Sequence, residues 1–181
     1  MTTVIVDLIE KKVYSDSRMT CRDITYTGLL GLCGISTKPP SEDYFGEVTK
    51  IHRLYNLSLV AGAGNTDDIN LVRACLQNNK YLIGRSFSGS SRVLHIYQDS
   101  GEVVVKVYKG NKVFGGYKCE AADFILPKLK GYLAVGSGAD YALGALASGA
   151  TPEQAICAAA KLDDGTDNKI QVEDIMEIKY D

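Results

Sequence analysis

Short apolar runs rich in β-branched residues recur along much of this chain, the pattern of strands bounded by turns. The β-branched run Thr3-Val4-Ile5-Val6-Asp7-Leu8-Ile9 predicts a first strand, Glu10-Lys11-Lys12 turns it, and Val13-Tyr14-Ser15 returns. From about Cys21 to Glu47 few apolar positions are periodic. Three glycines and Pro39-Pro40 predict a long loop there, with room for one strand. Ile51 to Ala61 predicts two short strands joined at Asn56. At Thr66-Asp67-Asp68 the period changes to that of a helix: Thr66 is placed to cap it, two acids favour its positive end, and Ile69, Val72, Cys75 and Leu76 form its apolar stripe. Four strands follow as an antiparallel meander: Tyr81 to Phe87, Arg92 to Gln98, Glu102 to Tyr108 and Lys112 to Cys119. Ser88-Gly89-Ser90-Ser91, Asp99-Ser100-Gly101 and Gly110-Asn111 read as its turns.

Leu133-Ala134-Val135 predicts another strand, ending at Gly136-Ser137-Gly138. A small-residue helix from about Ala139 to Ala147 comes next, with Tyr141, Leu143 and Leu146 as core positions and Gly149 as a left-handed stop. Thr151-Pro152-Glu153-Gln154 starts a further helix with a capping Thr, a first-turn Pro and a Gln three residues after the cap. Asp163-Asp164-Gly165 ends it, and Lys169 to Lys179 is a final strand region. Strands, one helix, strands, two helices and strands are buried together when sheets carry helices on their outer faces, an α+β arrangement.

Composition narrows the class. The chain has 181 residues, of which 45% are hydrophobic, and this predicts a single domain with a real core. A formal net charge of −2 provides no field for nucleic acid or an anionic membrane. Lys106, Lys109, Lys112 and Lys118 read as solvated strand faces. No apolar run approaches the length of a membrane helix, and the N-terminus lacks the pattern of a signal peptide, so a cytoplasmic protein is expected. The five cysteines are odd in number and widely spaced, without a CxxC pair, and read as buried reduced thiols rather than a disulfide framework or zinc site. With only His52 and His95, histidine-based metal or triad chemistry has little material.

Candidate chemistry begins at the N-terminus. Met1 precedes a small residue, so its removal is expected, and Thr2 would then carry a hydroxyl nucleophile and an α-amine base on one residue. Around it stand Thr2-Thr3-Val4, Val13-Tyr14-Ser15-Asp16-Ser17-Arg18, Lys50-Ile51-His52-Arg53-Leu54-Tyr55-Asn56, Val60-Ala61-Gly62, Val135-Gly136-Ser137-Gly138 and Lys161-Leu162-Asp163-Asp164-Gly165-Thr166. Taken singly these have plain readings: an ion pair for Asp16 and Lys50, a strand-to-helix turn for Gly62, a helix cap for Ser137, a helix-end turn for Asp163 and Thr166. Ala61-Gly62-Ala63-Gly64-Asn65 also lacks the third glycine of a dinucleotide fingerprint.

Taken in order, from Thr2 to about Ile175, the series resembles the proteasome β-subunit and HslV-like family of N-terminal-nucleophile hydrolases. The resemblance implies an α+β, four-layer αββα sandwich of two antiparallel sheets over residues 1–181, with an unusually long segment at about 21–47. It implies a threonine peptidase acting on peptides or unfolded protein. Thr2 is the nucleophile, Lys50 lies beside it, Asp16 holds Lys50, and Gly62 supplies an oxyanion N–H. Ser137, Asp163 and Thr166 are the remaining polar residues around the Thr amine, Thr166 replacing the family's Ser. It further implies a homo-oligomeric ring and an ATP-driven unfolding partner, with no cofactor and no metal. Two other readings fit the same residues: a catalytically idle binding or assembly module, and a hydrolase of non-peptide amides.

Overall fold

The structure, a computed structural model, describes residues 2–21, 44–122 and 131–178. Two antiparallel sheets pack face to face. The first has the order β10-β1-β2-β11, from β1 (Thr3–Asp7), β2 (Lys12–Asp16), β10 (Tyr132–Gly136) and β11 (Ile170–Asp174). The second runs β5-β6-β7-β8-β9, from β5 (Ile51–Arg53), β6 (Leu59–Ala63), β7 (Arg92–Asp99), β8 (Glu102–Val113) and β9 (Gly116–Ala122). A separate pair joins β3 (Arg18–Cys21) to β4 (Tyr44–Glu47). These strands bracket the long segment, whose interior, with Cys33 and Pro39-Pro40, lies outside the described residues.

Strand alternation builds the layers. Val4, Val6 and Val13 of the first sheet meet Leu59, Ala61, Leu94 and Ile96 of the second in the core between the sheets. Ile5 and Tyr14 point the other way, onto α2 (Ala139–Ala147) and α3 (Pro152–Ala160) through Ala142, Ala155, Ile156 and Ala159. On the far face of the second sheet, Val60 and Val93 pack against Ile69, Val72 and Cys75 of α1 (Thr66–Gln77). The result is the expected αββα sandwich. Burial on both faces accounts for Ile5 as well as Val4 and Val6 being fully buried.

Local signals hold at most element ends. Thr151 and Gln154 form a complete capping box, and Gly149 follows α2 at φ 93°. Four expectations need correction. The cap of α1 is Asn65, whose side chain accepts from the Asp67 N–H, and Thr66 is its first helical residue. Tyr141 is 45% exposed and is not a core position. Tyr81 to Phe87 is not a strand: it turns at Gly84 (φ 83°), sinks Leu82 and Phe87 against α1, and is tied to the edge of β9 by backbone hydrogen bonds from the Gly84 and Phe87 N–H groups to the Cys119 and Tyr117 carbonyls and from the Cys119 N–H to the Arg85 carbonyl. Finally, β8 runs straight through Gly110-Asn111. A Cβ at Gly110 would strike the Ser88 carbonyl, so this glycine serves a close approach, and the turn falls at Phe114-Gly115 instead.

Candidate active site

The N-terminal segment is held at the open end of the first sheet. Thr2 and Thr3 are buried, and Thr3 pairs with Gly136 across β10. At Gly136, φ is 113° and an added Cβ would collide with the Thr2 carbonyl. A Cβ at Gly138 would overlap the Thr3 hydroxyl. The Gly-Ser-Gly turn is therefore shaped by the backbone it must admit.

Asp16, at the end of β2, is the first hub. Its Oδ1 accepts the Thr3 N–H at 2.8 Å; its Oδ2 accepts the Lys50 ammonium at 2.8 Å and the Arg18 N–H at 3.0 Å. Asp16 and Lys50 are 0% and 6% exposed, so this is a buried ion pair whose carboxylate is fully engaged. Burial pulls the Lys50 ammonium below its ordinary pKa, and the charge and hydrogen bond of Asp16 only partly restore it.

Asp163, in the loop after α3, is the second hub. Its Oδ2 accepts the Ser137 hydroxyl at 2.7 Å and the Thr166 hydroxyl at 2.6 Å, and Oδ1 accepts the Gly165 N–H at 3.4 Å. Partial burial favours the neutral acid, but these donors outweigh it and hold the Asp163 carboxyl below its usual range. Because the Thr166 proton goes to Asp163, the Thr3 hydroxyl donates to Thr166 Oγ1, 2.8 Å away. Ser137 caps no helix, since the N-cap of α2 is Gly138 without a side-chain bond. The hydrogen bonds of this cluster reach the N-terminal segment at Thr3, which thus links both hubs: its N–H goes to Asp16 and its hydroxyl towards Asp163.

Thr2, Lys50 and Gly62 line one cleft, with Val48, His52 and Ile69 among its walls. Ser137, Asp163 and Thr166 do not line it and stand behind Thr3. The glycine at 62 has a packing cause: a Cβ there would lie 2.9 Å from the Arg92 carbonyl and 3.3 Å from Ile69 Cγ1, so β7 and α1 require it. The turn beyond it is anchored by Asp68, which is buried. Asp68 Oδ2 accepts the Ser91 hydroxyl at 2.6 Å and the Ser88 N–H at 2.9 Å, and Ser91 Oγ accepts the Asn65 N–H at 3.0 Å.

Two features of the site have no signal in the sequence. Gln171 of β11 accepts the Lys50 N–H at 2.8 Å and donates to the Val48 carbonyl at 2.7 Å, clamping the cleft wall to the edge of the first sheet. His52, from β5, takes a hydrogen bond at 3.2 Å on Nδ1 from the Arg73 guanidinium of α1. Gln171 falls on the polar side of the alternation Ile170-Gln171-Val172-Glu173, which names no partner for it, and Arg73 is distant in sequence. Among the described residues, no cluster of His, Cys, Asp and Glu suited to a metal occurs, and no helix is long and apolar enough to cross a membrane.

No family model and no curated protein matches the sequence. Among solved structures, the crystal structure of eukaryotic HslV from Trypanosoma brucei is similar over 97% of this chain and 99% of that one, with a TM-score of 0.53 and 17% identity. At that identity the likeness is one of architecture, and the two stacked antiparallel sheets between helices are those of the proteasome-like HslV fold.

Proposed function

We propose that this chain is a threonine-type N-terminal-nucleophile peptidase. The observation that carries the reading is the convergence of Thr2, Lys50 and Gly62 on one cleft, with Lys50 ion-paired to a buried Asp16. Once Met1 is removed, the Thr2 hydroxyl attacks the carbonyl carbon of a peptide bond, and the Thr2 α-amine takes its proton. The nearby Lys50 cation disfavours a second positive charge on that amine and keeps it a base. The Gly62 N–H stabilises the oxyanion. As the tetrahedral intermediate collapses, the amine proton passes to the leaving nitrogen and an ester to Thr2 remains. Water, deprotonated by the same amine, cleaves the ester and restores the hydroxyl. Asp16 holds Lys50, while Asp163, Ser137 and Thr166 hold the N-terminal segment through Thr3. A homo-oligomeric ring that encloses the site, and an ATP-driven unfoldase that feeds it, belong to the same reading.

The test is the intact mass of the purified protein before and after incubation with a peptide epoxyketone, which needs both the hydroxyl and the free amine of an N-terminal Thr. A chain without Met1 that gains one inhibitor mass is expected. A chain that lacks Met1 and gains none would leave the fold as a binding or assembly module.

A further inference from the structure

The cleft beside Thr2 has an uneven charge. Among the described residues its lining includes Arg18, Lys50 and His52, with apolar walls from Val48 and Ile69, and no Asp or Glu. The two acids of the first turn of α1 do not change this: neither Asp67 nor Asp68 lines the cleft, and Asp68 is buried with its Oδ2 engaged by Ser88 and Ser91. Lys50 is matched by Asp16. His52 is hydrogen-bonded to Arg73 of α1, at 3.2 Å.

The pairing of His52 with Arg73 settles the ring's tautomer. A guanidinium only donates, so Nδ1 accepts, and the neutral ring carries its proton on Nε2. His52 therefore offers an N–H, and the guanidinium behind it polarises that bond and adds positive potential to this wall. Burial and Arg73 both oppose protonation of the ring, so what it offers is the Nε2–H of a neutral imidazole.

We propose that the His52–Arg73 pair selects peptide substrates that carry an acidic side chain next to the scissile bond. This rests on the threonine-peptidase reading of the same cleft. The carboxylate accepts from the His52 Nε2–H under the field of Arg73, and Val48 and Ile69 enclose the methylene stem. A Lys or Arg side chain meets the same field with the wrong sign and finds no carboxylate among the described residues of the cleft lining.

The experiment uses the mature protein and four fluorogenic peptides that differ only in the residue on the amino side of the cleaved bond: Glu, Gln, Leu or Lys. The kcat/KM for the Glu peptide is expected to exceed that for Gln by about tenfold and that for Lys by more. Each ratio is taken within one protein preparation, so it does not depend on how much of a variant is folded. In Arg73→Gln the Glu-to-Gln ratio should fall towards one, and in Arg73→Glu the order of Glu and Lys should invert. A wild type that cleaves these peptides but favours Leu or Lys, or a ratio unmoved in both variants, overturns the proposal and leaves the peptidase reading intact. A protein that cleaves none of the four and takes up no epoxyketone overturns both.

Discussion

Ser58 and Thr166 are both fully buried hydroxyls in hydrogen-bonded chains, one in the connection between β5 and β6 and one in the loop between α3 and β11. Ser58 Oγ lies 2.9 Å from His95 Nε2, a pairing that on paper looks like a nucleophile and its base. Its proton, however, goes to the Asn56 side chain at 2.7 Å, so the ring N–H donates to Ser58 and His95 Nδ1 is left without a partner. Burial and the nearby Lys106 push the His95 pKa down to about 4. No carboxylate orients the ring, and Ser58 lines no described cleft. Thr166 belongs instead to a chain in which every proton has an acceptor, ending on an ionised Asp163 and reaching the segment that carries Thr2. The comparison shows that a buried hydroxyl beside a base is not yet a site. The proton must sit on the right atom, and a cleft must reach it.

The largest effect that could break this contrast is on Thr2. Thr2→Ala is expected to lower peptide turnover by about a thousandfold or more while the far-UV spectrum and melting midpoint stay near those of the wild type. Ser58→Ala should lose stability, by about 1–3 kcal/mol, and leave turnover per folded molecule unchanged. Activity lost in the second variant and kept in the first would reverse the assignment of the two regions.

Next is Lys50→Met. It strands the Asp16 carboxylate, which is 0% exposed, and should cost about 3–5 kcal/mol in denaturant unfolding at neutral pH. Turnover should fall by about a hundredfold, because the α-amine loses the cation that keeps it a base. A variant with full turnover would remove Lys50 from the chemistry and leave it a structural pair.

His95 sharpens the comparison through pH. Its folded pKa of about 4 lies below the ordinary 6.5, so between these values the unfolded chain binds a proton that the folded one does not. Stability from this group is therefore fully present above pH 6.5 and is lost as pH falls to about 4. The difference is about 3 kcal/mol. Subtracting the pH dependence of unfolding of His95→Gln from that of the wild type should show this slope, and a flat difference would mean that the ring is hydrated in solution.

The smallest effect is on Gln171. Gln171→Ala removes both bonds that hold Val48 and Lys50, and about a tenfold drop in the rate of epoxyketone adduct formation is expected. Gln171→Glu keeps the acceptor for the Lys50 N–H and should recover part of that rate, which simple loss of edge packing would not predict.

Much of this molecule was legible from local chemistry. The β-branched run Val4-Ile5-Val6, the capping box at Thr151 and Gln154, and the small-residue helix before Gly149 each depend on neighbours within a turn or two, and each is found where it was expected. The Asp16–Lys50 ion pair and the meeting of Ser137, Asp163 and Thr166 came from the ordered series of motifs, and the structure brings those side chains into contact.

What the sequence determined by itself was the set of strands and helices with the faces they must bury, because hydrophobic period and end-capping are properties of short stretches. Only the tertiary structure decided matters of distant contact. Gly110 read as a turn residue because its real partner, the Ser88 carbonyl, arrives from another strand connection. Tyr81 to Phe87 read as a strand because its apolar residues are spent on α1, while the turn at Gly84 limits it to a few backbone bonds with β9. That Thr3 bonds Asp16 directly and Asp163 through Thr166, and that Gln171 and Arg73 stand behind the cleft, follows from backbones meeting across the fold. A polar side chain announces in the sequence that it needs a partner, but the partner's identity depends on three-dimensional neighbours that no local period encodes.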